Sequence, residues 1–112
     1  MDTESQIRPL LSALEKLNRH GVKNSKLFVY VLLRDFHDSY HRINLLKQLG
    51  IKPFAQPFRR YDGKGKIPQW QYDMKNYTNK TSILKTVDFK DFIPRRGFKC
   101  AEYFNKPELQ II

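Results

Sequence analysis

The chain has 112 residues, with 21 Lys+Arg against 11 Asp+Glu, a formal net charge of +10 and a pI near 9.9. This length allows one domain with one modest core, and 40% hydrophobic residues with 8 Phe, 6 Tyr and one Trp argue against disorder. A single Cys excludes a disulfide framework and a self-contained multi-cysteine metal site, and the acidic start Met1-Asp2-Thr3-Glu4 is unlike a signal peptide. The longest apolar run, Leu27 to Leu33, is too short to span a bilayer, so a cytoplasmic protein with no membrane association is expected.

Residues 5–20 carry Ile7, Leu10, Leu11, Leu14 and Leu17 at helical spacing, with Ser5 as a candidate cap and Gly21 as a stop. Residues 26–33 form a continuous run of strand formers, the habit of a parallel strand buried on both faces. Asp35 or Asp38 can cap a second helix with a stripe of Tyr40, Ile43, Leu46 and Leu49, ended by Gly50. Residues 51–58 read as a short strand. Pro53 and Pro57 are four apart, so both missing N–H groups fall on one side, as in an edge strand or the last strand of an open barrel.

A loop follows over about 59–72, and Asp73 is a candidate cap for a third helix running to about Leu84. The aromatic-rich tail, residues 88–112, reads as irregular structure or short helix. The expected fold is therefore a single α/β domain over 1–112, ordered α-β-α-β-α, with two parallel strands and three helices. The strand at 26–33 is too apolar for an edge, so a flanking element is expected from outside this chain. An exposed strand at 51–58 would also offer a route to self-association.

Several stretches together carry a family resemblance. They are the helix ending Leu14-Glu15-Lys16-Leu17 before Gly21, the strand Phe28-Val29-Tyr30-Val31-Leu32-Leu33, the helix Arg42-Ile43-Asn44-Leu45-Leu46-Lys47-Gln48-Leu49-Gly50-Ile51, and the strand Pro53-Phe54-Ala55-Gln56-Pro57-Phe58-Arg59. Asp73-Met74-Lys75-Asn76-Tyr77-Thr78-Asn79-Lys80 and Asp88-Phe89-Lys90-Asp91-Phe92-Ile93-Pro94-Arg95-Arg96-Gly97-Phe98-Lys99-Cys100 complete the set. Over nearly its whole length the chain resembles the C-terminal portion of radical S-adenosylmethionine (radical SAM) proteins. The resemblance implies the last two βα units of a partial (β/α) barrel. It implies S-adenosylmethionine and a [4Fe–4S] cluster for a full-length member only. Leu32, Leu33, Phe54 and Gln56 fall where the family lines the adenine side of the cofactor. The chain has no CxxxCxxC motif and no GGE-like segment, so no cofactor is expected for it alone, and catalysis would need an N-terminal barrel half or another chain that completes the sheet.

The charge suggests an alternative, a small basic nucleic-acid-binding module. Arg59, Arg60, Tyr61, Lys64 and Lys66 in the loop, with Arg95 and Arg96 in the tail, would then contact the polyanion. The simpler reading of these residues is solvated surface charge. Other features weigh less. His37 and His41 have an i, i+4 spacing but no third ligand, and read as exposed helical histidines. Cys100 reads as a buried thiol rather than one activated by Arg95 and Arg96. Asp62-Gly63-Lys64-Gly65-Lys66 reads as a surface turn, because Pro68 intervenes before the next helix. Asn76, Asn79 and Lys80 read as a solvated helix face.

Overall fold

A computed structural model describes residues 7–58 and 67–106 of the protein. Helix α1 (Ile7–Arg19) leads into strand β1 (Phe28–Leu33), helix α2 (Phe36–Gln48), strand β2 (Lys52–Pro57), helix α3 (Gln69–Asn79) and helix α4 (Thr81–Thr86). Two short 3-10 turns, Phe89–Asp91 and Cys100–Asn105, carry the tail. The mixed α/β class and the parallel pairing of two strands are as expected. β1 and β2 run in register from Phe28 opposite Lys52 to Leu33 opposite Pro57.

Local chemistry explains the boundaries. Asp35 caps α2 by accepting from the Asp38 amide at 3.1 Å, which satisfies one of the four orphan N–H groups of the first turn. Gly21 and Gly50, at φ +88° and +74°, end α1 and α2 in the left-handed conformation that a side chain disfavours. An asparagine relay ties these ends together. Asn18 Nδ2 donates to Val22 O (2.8 Å) and Asn24 Oδ1 (3.0 Å), and Asn24 Nδ2 donates to Leu49 O (2.7 Å). The end of α1, the entry to β1 and the end of α2 are thereby fixed to one another.

The third helix departs from expectation at both ends. It starts at Gln69 after Pro68, so Asp73 is a buried residue in its second turn rather than its cap. It also breaks at Lys80, whose backbone is extended, and α4 begins at Thr81. The break coincides with Asn79 turning its amide onto β2. Asn79 Oδ1 accepts from the Ala55 N–H (2.8 Å), and Asn79 Nδ2 donates to the Ala55 carbonyl (3.1 Å). The expected solvated role for Asn79 is thus replaced by a structural one.

The second correction concerns β1. Its side chains alternate between covered and exposed, and it is not buried on both faces. Val31 and Leu33 join Ala55 of β2 in the core beneath α2 and α3, with Phe36, Ile43, Leu46, Trp70, Met74 and Tyr77. Phe28, Tyr30 and Phe54 point to the other side and remain 60%, 56% and 41% exposed. The apolar run carries no period because both faces are apolar, although α2 and α3 cover only one. α1 also leaves apolar surface uncovered. Leu14 is buried and Leu10 packs against the core, whereas Leu11 and Leu17 are exposed.

The outer edge of β2 is closed. In a parallel pair alternate residues direct their N–H and C=O to opposite sides of the strand. Lys52 N donates to Leu27 O, so Lys52, Phe54 and Gln56 pair toward β1 and Pro53, Ala55 and Pro57 face outward. The prolines have no N–H to offer, and Asn79 occupies Ala55 between them. The Phe58 amide beyond the strand donates to Gln71 Oε1 at 2.9 Å. An edge closed in this way does not support strand-to-strand association through 51–58. Asn79→Ala leaves both Ala55 groups unsatisfied and is expected to cost about 2 kcal/mol in urea unfolding. The double variant P53V/N79A reopens the edge and is expected to self-associate in sedimentation velocity, while N79A alone stays with the parent.

Candidate functional site

The open face of the parallel pair is the candidate site. Phe28 and Tyr30 lie next but one along β1, and Phe54 sits beside Tyr30 across the strands. Their rings meet edge to face, at 5.6 Å for Phe28–Tyr30 and 5.4 Å for Tyr30–Phe54. Leu32 and Gln56 are register partners one step toward the C-terminal ends of the strands. A shallow groove at the β2 side is lined by Tyr30, Phe54, Ala55, Gln56, Pro57 and Lys75. The surface thus combines a three-ring apolar strip with one amide and one ammonium, a composition suited to a flat ring system with polar edges.

The structure brings together Leu32, Phe54 and Gln56 of the four residues expected to wall a cofactor. Leu33 lies on the opposite face and is fully buried. Its neighbours in the core include Val31 and Ala55, and the pleat separates it from the other three. Phe28 and Tyr30 are the residues that sequence reasoning missed. No signal in an unbroken run such as Phe-Val-Tyr-Val-Leu-Leu tells which alternate set is covered.

Of the basic residues expected to contact a polyanion, Arg59, Arg60, Tyr61, Lys64 and Lys66 lie outside the described residues, as does the Asp62–Lys66 turn. Ser5, the candidate cap of α1, also lies outside them. Arg96 is exposed. Arg95 is engaged internally: one guanidinium nitrogen donates to both oxygens of Asp73, at 3.1 and 3.2 Å, and its guanidinium stacks 4.4 Å from the Phe98 ring centre.

Asp73 organises the tail. Its carboxylate also accepts from Gln69 Nε2 at 3.0 Å and from the Tyr103 hydroxyl. Burial holds the Tyr103 hydroxyl well above its ordinary pKa, and the bond to Asp73 adds to this against the opposing pull of Arg95. A buried carboxylate is tolerated only with such partners. The clamp lays the tail over the helices, where Phe36 collects Trp70, Phe89, Tyr103 and Phe104 at ring distances of 5.0 to 6.0 Å.

His37 is part-buried against Phe36 and Phe104, and His41 is exposed, so the pair is split between two environments. Among the described residues no three His, Cys, Asp or Glu side chains come together as a metal site. Cys100 is fully buried. Burial, reinforced by the charge of Asp73 and opposed by Arg95, pushes its thiol up to about 12. Cys100 is also the single cysteine of the sequence, whereas an iron–sulfur cluster needs several thiolates. No described helix is long and apolar enough to cross a membrane.

Two outcomes follow from these environments. Ellman's reagent at pH 8 is expected to react with Cys100 only after denaturation. In the unfolded chain the thiol titrates near 9.0, while the folded protein retains the proton to about 12. Stability from this group is therefore present below pH 9 and declines as pH rises toward 12, and Cys100→Ala is expected to flatten part of that decline in urea midpoints. Asp73→Ala, which strips Arg95 and Tyr103 of their shared acceptor, is expected to destabilise by about 3 kcal/mol.

Searches with the whole chain against protein-family models, curated proteins and solved structures return no match.

Proposed function

We propose that the chain is the closing arc of a (β/α)-barrel protein of radical SAM type. In this reading it supplies the last two strands and part of the wall facing S-adenosylmethionine or substrate, and it depends on a cluster-bearing segment for chemistry. The observation that carries the reading is the one-sidedness of the sheet. In a (β/α) barrel every helix lies outside the strands and the opposite strand face looks into the barrel. Here α2 and α3 cover one face of the parallel pair, and Phe28, Tyr30, Leu32, Phe54 and Gln56 line the other.

The asymmetry of the two edges supports the same reading. Pro53, Pro57 and Asn79 suit β2 to a terminal strand. β1 carries no proline and has no second strand neighbour among the described residues, which suits it to receive a preceding parallel strand. Leu32 and Gln56 lie toward the C-terminal ends of the strands, where ligands of such barrels bind, and Phe54 adjoins them one step back. Three rings and an amide fit the flat face and polar edge of a purine, and no group of side chains among the described residues fits the cluster.

S-adenosylhomocysteine, which keeps the adenosine and lacks the sulfonium, tests the wall by amide NMR of the full chain. Saturable shifts confined to residues 30–33 and 54–57, weakened about tenfold by Gln56→Ala, are expected. Absence of a saturable response, or shifts spread over the lysine-bearing surface, would overturn the reading.

One observation favours a second reading, single-stranded nucleic-acid binding. Exposed rings on a sheet beside Lys75, in a chain of net charge +10, resemble a stacking platform. Each stacked base contributes roughly 1–3 kcal/mol, so Tyr30→Ala and Phe54→Ala should each weaken oligonucleotide binding by tenfold or more. Micromolar anisotropy binding that survives about 200 mM salt would favour this reading, and its loss by then would reduce the effect to bulk charge.

A further inference from the structure

At the opposite end of the strands, a trough runs between the C-terminal half of α2, helix α4 and the start of β2. We propose that this trough is a binding site for a phosphoryl group. Two adjoining depressions form it, and Lys47 and Lys85 line both. Lys52, Ser25 and Thr81 line the inner one, and Asp88 lines the far end of the outer one. Three ammonium groups therefore share one concavity with a single carboxylate. Asp88 itself is turned toward the Lys90 amide, which lies 3.4 Å from its Oδ1.

Lys47 is the residue that makes this more than a charged surface. It is part-buried, and its ammonium meets only neutral acceptors, the Tyr77 hydroxyl at 3.0 Å and the Val87 carbonyl at 3.5 Å. The Tyr77 hydroxyl in turn donates to Val87 O at 2.7 Å, so this small network fixes the ammonium in place. A lysine has three donors, and two are taken. An ammonium group partly withdrawn from water ordinarily finds an anion, yet Lys47 has no ion-pair partner among the described residues, and neither do its exposed neighbours Lys52 and Lys85.

A tetrahedral dianion fits this arrangement. It would take the remaining donor of Lys47, ion pairs from Lys85 and Lys52, and hydroxyl donors from Ser25 and Thr81. The trough lies at the N-terminal ends of β1 and β2, so it is separate from the open sheet face and does not depend on the barrel reading.

The test is titration of the full chain with inorganic phosphate, followed by amide NMR, against sodium chloride at matched ionic strength. Saturable shifts at residues 47–52 and 81–88 are expected. Lys85→Gln should weaken binding about fivefold and Lys47→Gln at least tenfold. Arg19→Gln, an exposed cation on α1, should leave it unchanged. Lys52→Gln and Lys85→Gln lie on the surface and keep the test valid if Lys47→Gln fails to fold. A response equal to that of chloride, or one indifferent to Lys52 and Lys85, would overturn the proposal. A single-stranded oligonucleotide distinguishes the source of the group. Displacement of phosphate from the trough would assign it to a nucleic-acid backbone, and failure to displace would assign it to a small phosphorylated ligand. Both results presuppose the same site.

Discussion

Parallel strands cannot be joined by a tight turn, so β1 reaches β2 through a helix that must lie on one face of the sheet. Everything else in this protein follows from which face that helix takes and what is left for the other. α2 and α3 both settle over Val31, Leu33 and Ala55, and the C-terminal tail packs its aromatic rings onto the helices rather than across the strands. Phe28, Tyr30 and Phe54 are therefore presented to the outside by the same packing that builds the core. Parallel sheets are normally covered on both faces, and this departure is why the open face is the candidate site among the described residues.

Two polar devices keep the arrangement single-sided. Asn79 reaches from the end of α3 to both backbone groups of Ala55, imitating the strand that would otherwise add there. Asp73, two turns earlier on the same helix, holds Arg95 and Tyr103 and so determines where the tail crosses. One helix thus seals an edge with its last residue and anchors the C-terminal tail with its middle. Buried polar groups are costly when half-satisfied, and both of these are well supplied with partners.

Among the described residues the positive charge has no single seat. Arg95 is committed to Asp73, and Arg42 is buried with Asp38 at 2.7 Å. Lys47 is held by Tyr77, and Lys75 borders the aromatic face. A net charge counted from composition therefore overstates what is available to a polyanion. It also hides a place among the described residues, between α2 and α4, where cations gather with few acids to answer them.

Local chemistry made much of the architecture legible in the sequence. The stripe of α2, the cap at Asp35, the stops at Gly21 and Gly50 and the one-sided spacing of Pro53 and Pro57 each depend on residues close in the chain. They act through backbone geometry that any copy of those residues would share. The tertiary structure alone decided the rest. An unbroken apolar run such as Phe28–Leu33 is compatible with either covered face, and only the position of α2 and α3 separates Leu33 from Leu32. Asp73 has the composition of a helix cap until Arg95, 22 residues away, claims it inside the helix. Asn79 reads as a surface amide until Ala55, 24 residues earlier, supplies the two groups it satisfies. In each case the deciding partner is distant along the chain, and sequence spacing carries no information about which distant partner a side chain will meet.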